Sequence, residues 1–401
     1  MKLILTGLMT ILILGTMNSV FAMEQISGPS HSSQVEVQLP NGITGIASPL
    51  YTTEGPSAGY VVPAGGTLDG VADLLLTSSV VSGTFRCTGS LIQSDPLGGD
   101  NDMIILTAAH CVDFNLNGVP DLTSATARFE RAAGDEIIAV DVTQTMVHPN
   151  WDGNFIEGDD LAILVLVSPP SSDVNRYTWD TNPANDIGGD ADQVGYGRSG
   201  MMSTGDILAS GTKRAILNDR DGTSDLTAAA FDSIPGGVTP GYGVVLDADS
   251  GLAANDACAV YALCAAGLGN GAAEGSAAGG DSGGPSFNGV PDGASPDEVQ
   301  LVTSWGGTFT GPGSADIDGT LNSSHGELAV HTRTSIYASW IEATLLMKNK
   351  LEPGPQIGGE LLPIDTTALF VSGLYGSAMW LAPIGAGIAG VGYYLVQRLY
   401  K

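Results

Sequence analysis

Three separate segments of the sequence supply the residue types that nucleophilic catalysis requires. Ser282 lies in the glycine-rich segment 279–285, His110 follows an apolar run, and Asp160 opens another apolar run. A serine hydroxyl becomes a strong nucleophile when an imidazole accepts its proton and a carboxylate orients the imidazole. Glycines permit the tight turn that projects the hydroxyl, and they leave backbone N–H groups close to a developing oxyanion. The three segments together therefore indicate acyl transfer to a serine.

The order of these residues along the chain is His110, Asp160 and then Ser282, as in chymotrypsin and unlike subtilisin or the α/β-hydrolases. Related motifs accompany them in three further segments: residues 85–92, 148–151 and 303–307. With these motifs, the chain resembles the trypsin/chymotrypsin-like serine endopeptidases over roughly residues 61–347. The resemblance implies hydrolysis of peptide bonds in a protein or peptide substrate, with no cofactor required for catalysis.

Short apolar segments separated by turns are typical of a β-sandwich or a β-barrel. The five clearest predicted strands are residues 71–76, 83–92, 103–109, 137–147 and 161–167. The resemblance implies an all-β fold of two antiparallel six-stranded β-barrels with the active site between them. A C-terminal helix would follow at residues 336–347. His110 and Asp160 would belong to the first barrel and Ser282 to the second.

The resemblance also implies a role for each residue of the candidate site. Ser282 would attack the peptide carbonyl, His110 would take and return the proton, and Asp160 would orient the imidazole. Asp159 is the rival acid, but the family pattern favours Asp160. The backbone N–H groups of Gly280 and Ser282 would form the oxyanion hole.

The predicted substrate-binding residues follow from the same resemblance. Ser304, Trp305 and Gly306 would pair with the substrate backbone as an added strand. The family position at the floor of the specificity pocket, six residues before the nucleophile, is Ser276, which carries no charge. Ala329 replaces a common pocket glycine. We therefore expect a preference for apolar or small residues rather than for Arg or Lys.

The four cysteines are expected to pair, because the chain begins with a predicted export signal. Cys87 and Cys111 match the family's bridge behind the catalytic histidine. Cys258 and Cys264 are close enough in sequence to close a short loop upstream of the nucleophile. No neighbouring His or Cys completes a zinc-binding set, so structural disulfide bonds are preferred to metal binding.

The loop that follows His110 carries oxygen-containing side chains at alternate positions, a pattern that resembles a calcium-binding loop. The candidate Ca²⁺ ligands are Asp113, Asn115, Asn117, Val119 and Asp121. The bidentate Glu of an EF-hand is absent, so the match is partial. The alternative is a turn in which Asn and Asp side chains satisfy their own backbone. Any bound Ca²⁺ would be structural.

The two ends of the chain differ from the central domain. Residues 1–22 have the apolar run and small-residue cleavage site of a signal peptide, with an uncleaved membrane anchor as the alternative. The uncharged run 368–396 is long enough to span a bilayer, although a removable sorting tail is also compatible with it. The segments between and after them are a leader or propeptide at 23–60, the protease domain at 61–347, a linker at 348–367 and a basic cytoplasmic end at 397–401.

The leader raises the question of activation. In many members of the family, cleavage frees an Ile or Val amine that pairs with the Asp before the nucleophile, which is Asp281 here. Val61 is the candidate new terminus, but Tyr60 before it is not the basic residue of a trypsin-activated zymogen. Self-processing, cleavage by another enzyme and activity without cleavage therefore remain open.

The overall charge limits the classes of partner. The chain has 43 acidic and 14 basic residues and a formal charge of −29, so a basic surface for nucleic acid is not expected. The expected partners are a protein or peptide substrate and, through the tail, a membrane. The sequence thus predicts an exported serine endopeptidase at the cell surface with its C-terminus inside. The alternative is a catalytically silent protease fold that acts in binding or adhesion.

Overall fold

The structure, a computed structural model, describes residues 60–94, 102–231, 239–271, 274–289 and 297–351, together with four short strands before them. The chain divides into two units, Met1–Asn349 and Lys350–Lys401, and the fold below is that of the first. The predicted signal peptide at 1–22 and the predicted tail at 368–396 lie outside the described residues. Within the described ranges, no helix is both long enough and apolar enough to cross a membrane.

The first sheet contains the predicted strands around the histidine and the acid. The four strands that precede it in the chain are β1 (Glu24–Gln25), β2 (Val35–Gln38), β3 (Thr44–Ser48) and β4 (Tyr51–Thr53). The sheet itself is formed by β5 (Val71–Ser78), β6 (Phe85–Ile92), β7 (Ile104–Thr107), β8 (Leu122–Phe129), β9 (Glu136–Ala139), β10 (Met146–Val147) and β11 (Ala162–Val165). Their order is β10-β11-β7-β6-β5-β8-β9, and β1 also pairs with β6.

This first sheet curls until its two ends meet. Beyond β9, the N–H of Asp141 donates to the carbonyl of Val165 at 2.8 Å, and the N–H of Val167 donates to the carbonyl of Ala139 at 2.9 Å. The residues of β7 and β11 are all buried, so both faces of these strands are covered. The sheet is therefore a barrel whose apolar side chains fill its centre.

The second sheet carries the serine loop and the predicted substrate-binding strand. The remaining strands are β12 (Thr178–Trp179), β13 (Asp190–Gly195), β14 (Ser199–Met201), β15 (Gly205–Leu208), β16 (Arg214–Asp219), β17 (Gly222–Thr223), β18 (Gly243–Asp247), β19 (Gly275–Ala277), β20 (Pro285–Phe287), β21 (Glu298–Val299), β22 (Leu301–Thr310) and β23 (Leu328–Arg333). The order in the second sheet is β16-β13-β20-β22-β23-β18-β17, with β3 added to β22 and β2 added to β3. A smaller sheet has the order β15-β14-β4-β19, and β12 pairs with β21.

Three α-helices accompany the sheets: α1 (Asp225–Phe231), α2 (Ala257–Tyr261) and α3 (Thr334–Leu351). Helix α3 confirms the predicted C-terminal helix. Its residues Tyr337, Ile341 and Leu345 recur at helical spacing, and all three are buried in the main apolar core.

The prediction of two β units followed by a helix is confirmed, but the strand count differs from six in each. The described part of each main sheet has seven strands before the leader strands are added. The extra strands are two-residue segments. β16 and β17 follow each other in the chain but stand at opposite ends of the sheet, where β16 pairs with β13 and β17 pairs with β18.

Candidate active site

His110 and Asp160 are brought together by the pairing of β7 with β11. These strands are antiparallel, and Thr107 at the end of β7 faces Ala162 at the start of β11. His110 lies in the 3₁₀ turn Ala109–Cys111 just after β7, and Asp160 lies just before β11. Two side chains far apart in the sequence therefore meet at one end of the first barrel.

The carboxylate of Asp160 fixes the position of the imidazole. Nδ1 of His110 lies 2.7 Å from Oδ2 of Asp160, and the backbone N–H of His110 donates to Oδ1 at 2.9 Å. The hydroxyl of Ser304 donates to Oδ2 at 2.6 Å. Both members of the His–Asp pair are buried. A carboxylate at Nδ1 favours the tautomer in which Nε2 carries the lone pair, as a general base requires.

Asp159, the rival acid, contacts a different histidine. Its Oδ1 lies 3.0 Å from Nδ1 of His148, and its Oδ2 accepts a hydrogen bond from the hydroxyl of Thr239 at 3.1 Å. Burial raises the pKa of the Asp159 carboxyl, but the contacts with His148 and Thr239 outweigh burial, so the pKa is lowered overall. The geometry therefore places Asp160 next to His110 and Asp159 next to His148.

The Ser282 loop, which joins β19 to β20, is held between the two barrels. The N–H of Thr88 on β6 donates to the carbonyl of Ser282 at 2.8 Å, and the N–H of Gly283 donates to the carbonyl of Thr303 on β22 at 2.9 Å. Gly283 has φ +80°, and a Cβ atom there would lie 2.0 Å from Oγ1 of Thr107. Only glycine permits this approach, so the sequence motif is required by the packing of the loop.

The Ser282 loop contacts the turn that carries His110, but no hydrogen bond joins the Ser282 hydroxyl to the imidazole. The carbonyl of Ser282 is 3.6 Å from Sγ of Cys111, and that sulfur is 3.9 Å from Nε2 of His110. Among the described residues the hydroxyl of Ser282 has no hydrogen-bond partner, although its residue is only 1% exposed. Catalytic hydrogen bonds often form only when substrate is bound, so this geometry is compatible with nucleophilic attack.

The backbone around Gly280 leaves two N–H groups without a protein acceptor among the described residues. Gly280 has φ +104°, and its carbonyl accepts a hydrogen bond from Oγ1 of Thr88 at 3.0 Å. Within the part of the chain that the structure describes, the N–H groups of Gly280 and Ser282 donate to no protein acceptor. Two donors are therefore left for a substrate oxygen.

The three predicted substrate-binding residues lie together on β22. The hydroxyl of Ser304 is turned inward to Asp160, and the indole N–H of Trp305 donates to the hydroxyl of Tyr242 at 3.0 Å. Gly306 pairs with β23 on one side and with Ser48 of β3 on the other. The edge predicted to receive substrate is therefore paired at Gly306 with β3, which lies in the segment predicted to be a leader.

The residues at the predicted specificity pocket are small and buried. Ser276 lies on β19, where its backbone faces Thr52 of β4. Ala277, Ala278 and Ala329 form a separate apolar cluster next to it. Ala329 thus packs against residues that directly follow Ser276, and its role in a specificity pocket stays a prediction.

Asp281 and Val61 lie in the region expected for activation. Oδ1 of Asp281 accepts a hydrogen bond from the N–H of Gly197 at 2.5 Å. Val61 forms a bridge with Arg214, and the next N–H, that of Val62, donates to Lys213. The nitrogen of Val61 is part of a peptide bond in this chain, so its pairing with Asp281 after cleavage stays a prediction.

Both predicted disulfides are confirmed. Cys87 on β6 is bonded to Cys111 behind His110, with their Cα atoms 6.3 Å apart. Cys258 and Cys264 are bonded with their Cα atoms 4.6 Å apart. The first bridge fixes the histidine turn to the strand that also holds the serine loop.

The predicted calcium loop uses its first carboxylate to organise its own backbone. Asp113 accepts hydrogen bonds from the N–H groups of Asn117 at 3.2 Å and Gly118 at 2.7 Å, and from the indole of Trp151 at 2.9 Å. A carboxylate with three protein donors has little capacity left for a cation.

The last carboxylate of this loop is engaged in the same way. Asp121 accepts hydrogen bonds from the hydroxyl of Ser78 at 2.6 Å and from the N–H of Asn115 at 3.1 Å, and the amide oxygen of Asn117 accepts from Val119 at 3.0 Å. These contacts agree with the turn that the sequence left as the alternative. Ca²⁺ binding at this loop stays a prediction.

Sequence reasoning placed Ser304 with the substrate and missed its hydrogen bond to Asp160. We expect Ser304→Ala to lower kcat about tenfold, because it removes one hydrogen bond to a buried carboxylate and leaves the backbone of β22 in place. Steady-state kinetics on a peptide substrate measure this effect. Ser286→Ala is the matched control, because Ser286 is a buried serine of the same barrel that contacts His331 and not the site. An equal loss in both variants would contradict a specific role for Ser304.

A comparison with known families agrees with this geometry. A family model described as Trypsin matches residues 72–341, which is more than half of the chain. A search among curated proteins gives no significant match.

Proposed function

Because this chain belongs to the trypsin family, we propose that it is a serine endopeptidase that hydrolyses peptide bonds through an acyl-enzyme. The observation that carries the proposal is the buried contact between His110 and Asp160 at 2.7 Å, next to a loop that presents an unengaged Ser282 hydroxyl. A binding protein without activity would have no need to keep this arrangement.

The proposed mechanism uses only side chains and backbone of this chain. The Ser282 hydroxyl attacks the peptide carbonyl carbon while Nε2 of His110 takes its proton, and Asp160 stabilises the imidazolium. The C–N bond then breaks, and His110 gives the proton to the leaving amine. Water attacks the acyl-enzyme with His110 again as the base, which releases the acid product and restores Ser282.

The negative charge of the tetrahedral intermediate would be stabilised by backbone donors. The N–H groups of Gly280 and Ser282 have no protein acceptor among the described residues, so they can donate to the oxyanion without first breaking another bond. Removing one such donor typically costs about 10²–10³ in rate.

We expect the enzyme to cleave after small or apolar residues rather than after Arg or Lys. Ser276 brings no charge to the predicted pocket floor, and the neighbouring Ala277, Ala278 and Ala329 bring none either. A guanidinium or ammonium group would be buried there without a charged partner. This preference is measured with a peptide library in which the residue before the cleaved bond is varied over all amino acids. Strict cleavage after Arg would overturn the prediction.

We also propose that the enzyme is exported, tethered by residues 368–396 and processed near Val61. Residues 1–22 would direct export, and the basic end after the tail would remain inside. Mass spectrometry of the mature N- and C-termini tests each of these steps. A mature chain that still begins at Met1, or a purely cytoplasmic one, would contradict the export proposal.

The activity itself is tested with an unstructured protein substrate. The purified protein, processed at Val61, is incubated with casein, and new peptide termini are identified by mass spectrometry. We expect cleavage that is absent with His110→Ala. A folded, processed protein that leaves casein intact and binds another protein instead would support the catalytically silent alternative.

A further inference from the structure

The second barrel contains a group of five buried acids that the proposed mechanism does not use. We call it the carboxylate cluster: Asp221, Asp247, Asp249, Asp256 and Glu274. Asp221 lies between β16 and β17, Asp247 ends β18, Asp256 caps the N-terminus of α2, and Glu274 precedes β19. Residues from separate segments of the chain thus converge on one interior region.

Four carboxyl groups of this cluster form two overlapping groups, each close enough to share a ligand, and both contain Asp247. Oxygen atoms of Asp247, Asp249 and Asp256 all lie within 4.8 Å of one another, and an oxygen of Asp221 lies within the same distance of one of Asp247. Asp247 and Glu274 are each 1% exposed. Carboxylates at this separation repel each other strongly when they are charged and shielded from water.

In two of these side chains, Asp247 and Glu274, one carboxylate oxygen accepts a hydrogen bond from a backbone N–H. The N–H of Cys258 donates to Oδ2 of Asp247 at 3.0 Å, and the N–H of Asn270 donates to Oε2 of Glu274 at 2.6 Å. The other oxygens, Oδ1 of Asp247 and Oε1 of Glu274, are buried and have no hydrogen-bond partner among the described residues. The same is true of Oδ1 of Asp249. Three oriented, unsatisfied carboxylate oxygens point to a missing ligand, because buried polar atoms are normally paired.

Among the residues that the structure describes, no basic side chain supplies the balancing charge. Within the described ranges, no Lys, Arg or His forms an ion pair with any member of the carboxylate cluster. The cluster therefore needs either protons or a cation.

We propose that the carboxylate cluster binds one Ca²⁺ ion. Ca²⁺ accepts six to eight oxygen ligands in irregular geometry, which suits carboxylates that come from separate segments. Mg²⁺ requires near-ideal octahedral geometry, and Zn²⁺ prefers His and thiolate ligands. The nearby sulfur of Cys258 belongs to a disulfide and offers no thiolate. This site is distinct from the predicted loop at residues 113–121.

The ion would stabilise the part of the barrel that leads to the active site. It would connect the end of β18 and the start of α2 to Glu274, and Glu274 is followed directly by β19 with Ser276. Loss of the ion would thus loosen the strand that carries the predicted pocket floor. This effect on substrate binding rests on the proposed function, whereas ion binding does not.

Calorimetry tests the site without any measurement of activity. The full chain with Ser282→Ala, which prevents self-digestion, is freed of metal with a chelator and titrated with Ca²⁺. We expect binding, and we expect Tm to rise by at least about 5 °C at a Ca²⁺ concentration 100-fold above Kd. The combined change Asp249→Asn and Glu274→Gln should remove this binding event while the metal-free chain stays folded.

The matched control is Asp121→Asn in the loop at residues 113–121, which should leave binding at the carboxylate cluster unchanged. If a second ion binds to that loop, the cluster variant should lose one of the two binding events and retain the other. The proposal is overturned if the chain binds no Ca²⁺, or if the cluster variant retains every binding event. It is also overturned if Asp121→Asn alone abolishes all binding.

A separate observation concerns the leader at residues 23–60. Its strand β3 pairs antiparallel with β22, with Ser48 opposite Gly306 and Ala47 opposite Gly307. Its strand β4 pairs antiparallel with β19, with Thr52 opposite Ser276. The leader thus pairs with Gly306, one of the residues predicted to pair with substrate, and with the strand that carries Ser276, the predicted pocket floor.

We infer that the leader is a built-in inhibitor that blocks the substrate-binding edge until it is removed. The inference rests on the proposed function. An added strand on β22 uses the backbone groups that would otherwise pair with a peptide substrate, so leader and substrate exclude each other. Cleavage between the leader and Val61 would release a segment held by short strands, which can then dissociate.

The rate of labelling by a fluorophosphonate probe compares the intact chain with the chain cleaved at Val61. We expect at least tenfold faster labelling after cleavage and leader removal, and competitive inhibition of the cleaved enzyme by a synthetic peptide of residues 41–56. Replacing both Ile46 and Ala47 with Pro in the intact chain should also accelerate labelling, because proline cannot donate to a sheet.

Equal labelling rates before and after leader removal, with no inhibition by the peptide, would overturn the inference while the enzyme itself remains active. A cleaved enzyme that never labels would instead contradict the proposed function. The two failures are therefore distinguishable.

Discussion

Ser282→Ala should lower kcat for peptide hydrolysis about 10⁶-fold, because the variant has no nucleophile to form the acyl-enzyme. The remaining rate would come from substrate binding and from the backbone donors of Gly280 and residue 282. Single-turnover and steady-state assays with the processed enzyme measure the loss. Ser286→Ala serves again as the control and should retain nearly full kcat.

The loss in Ser282→Ala should not be accompanied by loss of stability. The Ser282 hydroxyl has no hydrogen-bond partner among the described residues, so its removal breaks no contact there. We expect the free energy of unfolding to change by no more than about 0.5 kcal/mol in urea denaturation. A variant that keeps a few per cent of the wild-type kcat would show that another group acts as the nucleophile.

Asp160→Asn should lower kcat about 10⁴-fold. An amide at this position would turn the imidazole toward the wrong tautomer, with a hydrogen on Nε2. The carboxylate also accepts hydrogen bonds from the N–H of His110 and from the hydroxyl of Ser304, which one amide oxygen cannot replace fully. Steady-state kinetics at neutral pH measure the effect.

The neighbouring acid provides the matched control for this prediction. Asp159 is adjacent in sequence and buried, but it pairs with His148. Asp159→Asn should therefore retain kcat within a few-fold, although it removes a contact and lowers stability. A large loss in Asp159→Asn with little loss in Asp160→Asn would reverse the assignment of the two acids.

Much of the site could be predicted because catalysis restricts the choice of residues. The order of His110, Asp160 and Ser282 and the glycines around the serine are visible without any structure. The disulfide between Cys87 and Cys111 was implied by the family resemblance, a C-terminal helix was expected at residues 336–347, and the structure contains both. These features depend on residue type, on local spacing and on the family pattern.

The strand predicted at residues 137–147 illustrates where local spacing was insufficient. The structure ends β9 at Ala139 and begins a 3₁₀ turn, Val142–Gln144. The side chain of Asp141 accepts a hydrogen bond from the N–H of Thr143 at 3.1 Å and so stabilises the turn. An Asp inside an apolar run was therefore a capping residue and not an outward-facing strand residue.

Contacts between distant segments could not be predicted from single residues. Nothing local indicated that Ser304 would donate to Asp160, or that the leader would pair with β22 and β19. The carboxylate cluster has the same origin, because Asp247 and Glu274 are far apart along the chain and lie in segments of ordinary acidic composition. Tertiary packing alone brings such groups together.

The central claim is that Ser282 is a nucleophile activated by His110. Its most direct test is to react the processed enzyme with a fluorophosphonate probe and to locate the adduct by peptide mapping. The account predicts one adduct, on Ser282, that is absent in Ser282→Ala and strongly reduced in His110→Ala. An adduct on another residue, or none on a folded and processed protein, would contradict it.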